Sequence, residues 1–187
     1  MPMITQQSDL ESETRFIRQI LNGAHVVRAY HIDRPDSLFG SVHSHPDIHH
    51  ISYIVSGHSR ARIGQNTFIL PSGSVAFVKA GVPHCSFPEF ESPRLELMEV
   101  KFSMPARMPA GLFLMQGIIW RNEIRSVFHH LINEFYMERA HKEFMMRTYL
   151  AQLVMVMMRA RTMQSDGQKL TRIPPTVVKG RLDKAAG

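Results

Sequence analysis

Apolar and polar residues alternate with a period of two over most of residues 24–104. The alternating segments are short, and turn residues such as Gly57, Gly64 and Gly73 separate them. This pattern predicts half-buried strands, and about six of them at close spacing favour an antiparallel sandwich or barrel. We therefore predict an all-β domain over residues 24–104.

After Pro105 the hydrophobic period changes from two to 3.6. Apolar residues recur at helical spacing over about 119–139 and again over about 142–163. Residues 105–163 are therefore predicted to form a helical region of two helices. The predicted fold class is mainly β with C-terminal helices.

The second predicted helix is apolar on more than one face, and seven of the 13 methionines lie between Met137 and Met163. These residues could all pack on the sheet, but a small barrel covers only one stripe of a helix. We therefore expect a second subunit to cover the rest. The predicted homodimer interface comprises Phe144, Tyr149, Leu150, Leu153 and Met157.

The two ends of the chain lack the regular apolar pattern of residues 24–163. Residues 1–23 are predicted to form a polar N-terminal arm, and residues 164–187 a linker or disordered tail, because Gly, Pro and Ser punctuate them. No segment after Thr162 shows two helical patterns joined by a short turn, so we expect no DNA-reading domain in this chain.

Composition and charge narrow the class of protein. The 187 residues are 44% hydrophobic and 20% charged, as is typical of a globular domain. The longest apolar run, Leu153–Met158, is too short to span a bilayer, and the polar start lacks the features of a secretory signal. Cys85 is the single cysteine, which favours a reducing compartment. We expect a cytoplasmic protein without membrane contact.

The net charge of +6 arises at the C-terminal end, where residues 139–187 carry ten Lys and Arg against three Asp and Glu. This excess could attract an acidic partner, but the basic residues are scattered as on a solvated helix face. The sequence has no nucleophile motif, no phosphate-binding glycine loop and no paired-carboxylate motif. Hydrolase and kinase functions therefore have no support.

Histidine is unusually frequent, with 11 residues, five of them between positions 43 and 58. His43 and His45 lie two residues apart, so an extended chain places both rings on one side. A barrel that joins the start of one strand to the end of another would bring His50 and His84 to the same point. Neutral imidazole suits Zn, Fe, Ni and Cu.

These residues resemble the two motifs of the cupin superfamily. Gly40, His43, His45, His50 and Gly57 are similar to the first motif. Pro71–Gly73 and Gly81–His84 are similar to the second. Two positions depart from the pattern: His50, or His49 if the gap is one residue shorter, stands in place of the usual glutamate, and Pro88 in place of the usual asparagine.

The order of the elements resembles the sensor and dimerisation domain of AraC-type transcriptional regulators over about residues 10–163. The resemblance implies a cupin barrel that binds a small effector, an arm that closes over it, and helices that pair two subunits. It also implies contact with DNA only through a downstream domain, which this chain does not include.

The candidate site follows from the histidines and the resemblance together. His43, His45, His50 and His84 are predicted to contact the effector and to hold a divalent metal, with Zn, Ni, Fe or Mn as candidates. Arg60 and Arg62 could bind a carboxylate effector from inside the barrel, or lie on the solvent face of a hairpin. We expect a sensor and assign no catalytic residue; the alternative is a stand-alone metal-dependent cupin enzyme, a dioxygenase or isomerase.

Overall fold

A computed structural model describes residues 3–33, 41–88, 95–104, 114–115, 121–164 and 172–173. Within them the elements follow in the order α1 (Met3–Gly23), β1 (His25–Asp33), β2 (Ile48–Ser56), β3 (His58–Ile63), β4 (Asn66–Pro71), β5 (Val75–Val78), β6 (His84–Pro88), β7 (Glu96–Ser103), β8 (Leu114–Met115), α2 (Arg121–Tyr136), α3 (Lys142–Gln164) and β9 (Arg172–Ile173). The predicted class, mainly β with C-terminal helices, is confirmed.

The strands form two antiparallel sheets. The first has five strands in the order β1-β7-β2-β5-β8, and the second has four in the order β6-β3-β4-β9. An isolated bridge between His43 and His84 links the segment before β2 to the start of β6. The neighbours in the first sheet are distant in sequence, so the sheet brings together residues that the linear pattern keeps apart.

The five-stranded sheet is buried on both faces. Along β7, Met98, Val100 and Phe102 belong to a core that also contains the buried residues of the helices. Leu97, on the opposite face, packs with Ala61 of the four-stranded sheet in a second core inside the barrel. The parity of a residue along a strand therefore decides which interior it enters.

Helices α2 and α3 cover the outer face of the five-stranded sheet. Helix α3 lies within one residue of its predicted bounds, whereas α2 begins two residues later and ends three residues earlier than predicted. Phe128 and Leu131 of α2 and Leu150 and Leu153 of α3 are fully buried in the same core as the sheet. No helix in the described part of the chain combines the length and the apolar character needed to cross a membrane.

Helix α1 differs from the predicted polar arm. Phe16 and Ile20, one helical turn apart, are buried in the outer core, and α1 packs against α3. The Arg147 Nε of α3 donates a hydrogen bond of 2.8 Å to the Ala24 carbonyl at the end of α1. The described part of residues 1–23 thus lies on the helical side of the sheet. The overall polarity of the segment hid its two core positions.

The predicted C-terminal tail begins where α3 ends. Within it, Arg172–Ile173 form β9, which pairs with Thr67 and Phe68 of β4. This strand corrects the expectation of a structureless tail at these two residues. The rest of the tail, 165–171 and 174–187, lies outside the described residues.

The turn between β4 and β5 contacts the first residue of α2. The Arg121 Nη2 donates a hydrogen bond of 3.3 Å to the Ser72 carbonyl. Gly73 has a φ of +84°, a conformation that favours glycine, and a Cβ at this position would lie 2.6 Å from the Arg121 Nε. The Gly73 amide in turn donates to the Ile54 carbonyl in β2 at 2.8 Å.

Replacement of Leu153 by alanine tests the contact between α3 and the sheet. We expect Leu153→Ala to lower the free energy of unfolding by about 2–5 kcal/mol, because it leaves a cavity in the outer core. Gln152→Ala, at the exposed neighbouring position, should change it by less than about 0.5 kcal/mol. Urea denaturation followed by circular dichroism measures both. Equal stability of the two variants would contradict this packing.

Candidate metal centre and effector cavity

Four histidines meet at one end of the barrel, as the sequence analysis expects. The backbones of His43 and His84 exchange hydrogen bonds of 3.1 and 2.8 Å. Their ring centroids lie 4.6 Å apart, and the His43 and His45 rings lie 5.0 Å apart. The His50 ring lies 4.5 Å from His84 and 5.0 Å from His45. We call these four residues the histidine cluster.

Backbone carbonyls fix the orientation of two rings in the histidine cluster. The His43 Nδ1 lies 2.9 Å from the Ser41 carbonyl, and the His84 Nδ1 lies 2.8 Å from the Val82 carbonyl. A carbonyl only accepts, so in both neutral rings Nδ1 carries the hydrogen. The lone pair is left on Nε2, which is the arrangement that metal-binding histidines use.

Three nitrogens of the cluster have no hydrogen-bond partner in the structure. They are the buried Nε2 atoms of His45, His50 and His84. A buried polar atom without a partner costs about 1–3 kcal/mol, so such atoms call for an explanation. Ligation of a metal ion by these lone pairs would remove the deficit.

Three residues of the cluster have the spacing of a metal site. One ligand atom from each of His43, His45 and His84 lies within 4.8 Å of the others. Three imidazoles with open positions beside them are typical of a reactive metal site rather than a closed structural one. The residues present therefore fit a divalent transition metal.

The electrostatics keep the buried rings neutral. Burial, followed by the charge of Lys101, lowers the pKa of His50 to about 3. Burial also lowers the pKa values of His45 and His84 from the ordinary value of 6.5. Neutral imidazole is the form that binds a metal, so the site needs to lose no proton at neutral pH.

The structure resolves the choice between His49 and His50. His50 lies on the inner face of β2, within the cluster. His49 lies on the outer face, where its ring is 5.3 Å from that of Phe102, and its Nδ1 accepts a 3.1 Å hydrogen bond from the Ala80 amide. The register of one residue excludes His49 from the cluster.

Glu99 is a polar residue of the inner wall that the sequence analysis missed. Its carboxylate accepts hydrogen bonds from the Tyr30 hydroxyl and, at 2.6 Å, from the Ser52 hydroxyl. Its Oε1 lies 3.7 Å from the His50 Nδ1 and 3.4 Å from the Lys101 Nζ. Strict alternation along β7 was the signal that could have placed Glu99 on the inner face beside Leu97.

A cavity of about 70 Å³ lies inside the barrel next to the cluster. Its polar lining comes from His50, Ser52, Arg62, His84, Ser86 and Glu99. Its apolar lining includes Ile54, Ala61, Leu70, Ala76 and Leu97. A larger depression of about 390 Å³ is lined by residues of α1 and is open to solvent, so it cannot enclose a ligand.

The two candidate arginines lie on the outer face of β3. They alternate with Ala61, whose side chain enters the inner core, so Arg60 and Arg62 point away from that core. Arg62 is exposed, and its Nε donates to the Gly64 carbonyl at 3.3 Å. Arg62 nevertheless lies in the lining of the inner cavity, so a role of the pair in binding an effector stays a prediction. Burial raises the pKa of the Cys85 thiol, opposite Arg62 in β6.

The five residues of the predicted dimer interface separate into two groups. Leu150, Leu153 and Met157 are at most 1% exposed and belong to the core of the single chain. They are therefore not accessible to a second subunit, and the set is corrected accordingly. Tyr149 is half-buried and stacks on the His130 ring at 5.4 Å, whereas Phe144 is 62% exposed.

Comparison with known proteins assigns the barrel region. Residues 25–108 match the family model described as the AraC-like ligand binding domain. This stretch extends from β1 to just beyond β7 and contains the histidine cluster. The barrel region is therefore similar to AraC-like ligand binding domains. No curated protein matches the chain.

Solved structures of cupin type are also similar. A cupin protein from Bacteroides fragilis is 16% identical, with a TM-score of 0.39 over 49% of this chain and 75% of that one. A predicted oxalate decarboxylase from Thermotoga maritima is 17% identical, with a TM-score of 0.38 over 49% and 74%. Hydroxypropylphosphonic acid epoxidase from S. wedmorenis is 18% identical, with a TM-score of 0.34 over 38% of this chain. The match covers 41% of that enzyme's chain.

Stability should fall as the pH decreases below 7, in part because of His49. Burial lowers the pKa of His49 from 6.5, so below that pH the unfolded chain binds a proton that the folded chain does not. The stability present above pH 6.5 is lost towards the lower folded pKa, by up to about 1.4 kcal/mol per pH unit. We expect His49→Gln to reduce this slope in urea unfolding of metal-free protein between pH 7 and pH 5.

The exposed His58 supplies the control for this measurement. His58→Gln should retain the slope of the wild-type protein. If His49→Gln and His58→Gln gave the same slope, His49 would not be the buried neutral group that the structure indicates.

Proposed function

We propose that this chain is the effector-binding and dimerisation unit of an AraC-type transcriptional regulator. One observation carries the proposal: within the stretch that matches the ligand-binding family, an internal cavity adjoins a cluster of histidines with unpartnered nitrogens. Barrel interiors with a few convergent polar groups are common ligand sites. DNA would be reached through a domain outside this chain.

The size of the cavity limits the ligand. Pockets for drug-sized molecules measure about 300–1,000 Å³. The cavity, at about 70 Å³, is well below this range. The effector is therefore a molecule of few non-hydrogen atoms, or its binding spreads the two sheets. The mixed lining suits a small polar group with a short apolar part.

A divalent metal would be held by His43, His45 and His84, with His50 beside them. When bound, such an ion supplies a Lewis acid that attracts oxygen atoms of a ligand. The chain's own residues do the rest: the Ser41 and Val82 carbonyls orient two of the rings, and Ala61 and its apolar neighbours line the cavity beside them. Zn, Ni, Fe and Mn remain the candidates.

The sheet that lines the cavity also carries the helices, which supports a sensing role. In β2, Ser52 faces the cavity, and the next residue, Tyr53, stacks on Phe128 of α2 at 6.1 Å. A ligand that changes the spacing of these strands therefore acts on the helix pair. Regulation requires that the effector bind more tightly to one arrangement than to the other.

Thermal denaturation with small oxygen-donor molecules such as oxalate, glyoxylate and pyruvate tests the effector site. We expect a binding compound to stabilise metal-loaded protein by about 2.7 kcal/mol at 100 times its Kd, and so to raise the Tm. Ala61→Leu should abolish the increase, because its larger side chain fills the cavity. Chelation of the metal with EDTA should also abolish it if the metal anchors the ligand.

Gln65→Ala, in the exposed turn between β3 and β4, is the matched control and should retain the increase. A compound that stabilises Ala61→Leu as much as the wild-type protein does not bind in the cavity. The ligand recovered after incubation separates the two function classes: a sensor returns it chemically unchanged, whereas the alternative, a metal-dependent cupin enzyme, converts it.

We also propose that two copies pair through the exposed face of α3. Phe144 and Met155 are 62% and 38% exposed, and their separation of eleven residues places them about 20° apart around the helix. The exposed polar Gln152 lies between them along the helix. Phe144 and Met155 replace the buried leucines and methionine of the sequence-based interface.

The double variant Phe144→Glu, Met155→Glu tests this interface. We expect the protein to change from dimer to monomer in sedimentation velocity. The dimer would bury the introduced carboxylates of both copies against one another, without a positive partner. Leu10→Glu, at an exposed apolar residue of α1, should remain dimeric. A dimeric double variant would exclude this face of α3.

A further inference from the structure

The carboxylate of Glu99 occupies the centre of the inner wall between three strands. Tyr30 of β1 and Ser52 of β2 each donate a hydrogen bond to it, one to each oxygen. These two bonds hold the carboxylate plane in a fixed position. Glu99 is neither a member of the metal-spaced group nor part of either sequence motif.

His50 lies between this carboxylate and the rest of the histidine cluster. Its Nδ1 is 3.7 Å from the Glu99 Oε1, and its side chain is 3% exposed. Its Nε2 is buried without a partner, and its ring centroid lies 4.5 Å from that of His84. The 3.7 Å contact is longer than a hydrogen bond, but the negative carboxylate still favours a hydrogen on the nearby Nδ1, which leaves the lone pair on Nε2. The opposite tautomer would place a lone pair against the carboxylate.

We propose that Glu99 is the positioning residue of the candidate metal centre, holding His50 as its Nδ1–H tautomer so that the Nε2 lone pair stays available beside the three metal-spaced histidines. This inference rests on the metal proposed above. The pairing of carboxylate, histidine and metal orients ligands in many metalloproteins. Here the carboxylate comes from β7, 49 residues beyond His50 in the sequence.

Charge gives Glu99 a second effect. Four neutral imidazoles leave the two positive charges of a divalent ion uncompensated in a partly buried site, which is costly. Glu99 supplies a negative charge next to His50, in place of the glutamate that the first motif lacks. Lys101 opposes this, because its Nζ lies 3.4 Å from the same Oε1. The two residues therefore act on a bound cation in opposite directions.

Titration of metal-free protein with Zn²⁺ tests the proposal. We expect Glu99→Gln to weaken Zn²⁺ binding about 10- to 100-fold, as loss of such a partner usually does. Lys101→Met should strengthen it, which a merely structural role of this strand would not produce. Glu96→Gln is the matched control: Glu96 lies on the same strand and binds His31 at 2.8 Å, outside the cluster. It should leave the affinity unchanged.

The tautomer of His50 gives a measurement that needs neither metal nor a variant. Long-range ¹H–¹⁵N spectra of metal-free wild-type protein should show hydrogen on Nδ1 of His50. Hydrogen on Nε2 would overturn the inference. A folded Glu99→Gln variant that binds Zn²⁺ as tightly as the wild-type protein would also overturn the inference. That result would leave the proposed metal site itself unaffected. Wild-type protein that binds no Zn²⁺ but shows the Nδ1–H tautomer would refute the metal centre and support the orienting contact.

Discussion

The alternation of side chains between the two faces of the five-stranded sheet determines which residues of this protein face the cavity. In the sheet's inner strands β2, β5 and β7, inward residues enter the cavity side and outward residues enter the core beneath the helices. Adjacent residues therefore have unrelated roles, as His49 and His50 demonstrate. A slip of one residue in β2 would exchange the cluster's histidine for one that packs on Phe102. Register, more than composition, determines what the barrel can bind.

The fold and most of the cluster were accessible from the sequence because both depend on local patterns. Alternation predicted the strands, and the HisxHis spacing with the turn before His84 predicted the convergence. Glu99 was not accessible, since its place beside His50 depends on the pairing of β2 with β7, which no local pattern encodes. The interface prediction was wrong for Leu150, Leu153 and Met157 for a related reason. The apolar periodicity of α3 is the same whether a sheet or a second subunit covers these residues.

The histidine cluster is a weak point of the fold. Three buried nitrogens without partners represent a deficit that a well-packed apolar interior would not have. Buried polar atoms without partners are commonly retained for function. A ligand or metal that binds them restores the stability that they cost the empty protein. Binding and stability are therefore linked in this barrel: whatever binds the unpartnered nitrogens also raises the free energy of unfolding.

The backbone of Gly73 has an evolutionary consequence. Its φ of +84° is a conformation that residues other than glycine adopt only with strain. The Arg121 guanidinium that a Cβ would meet is the end of an exposed, flexible side chain and can move aside. Among descendants of this sequence, glycine should therefore be inherited at residue 73 whether or not arginine is kept at residue 121.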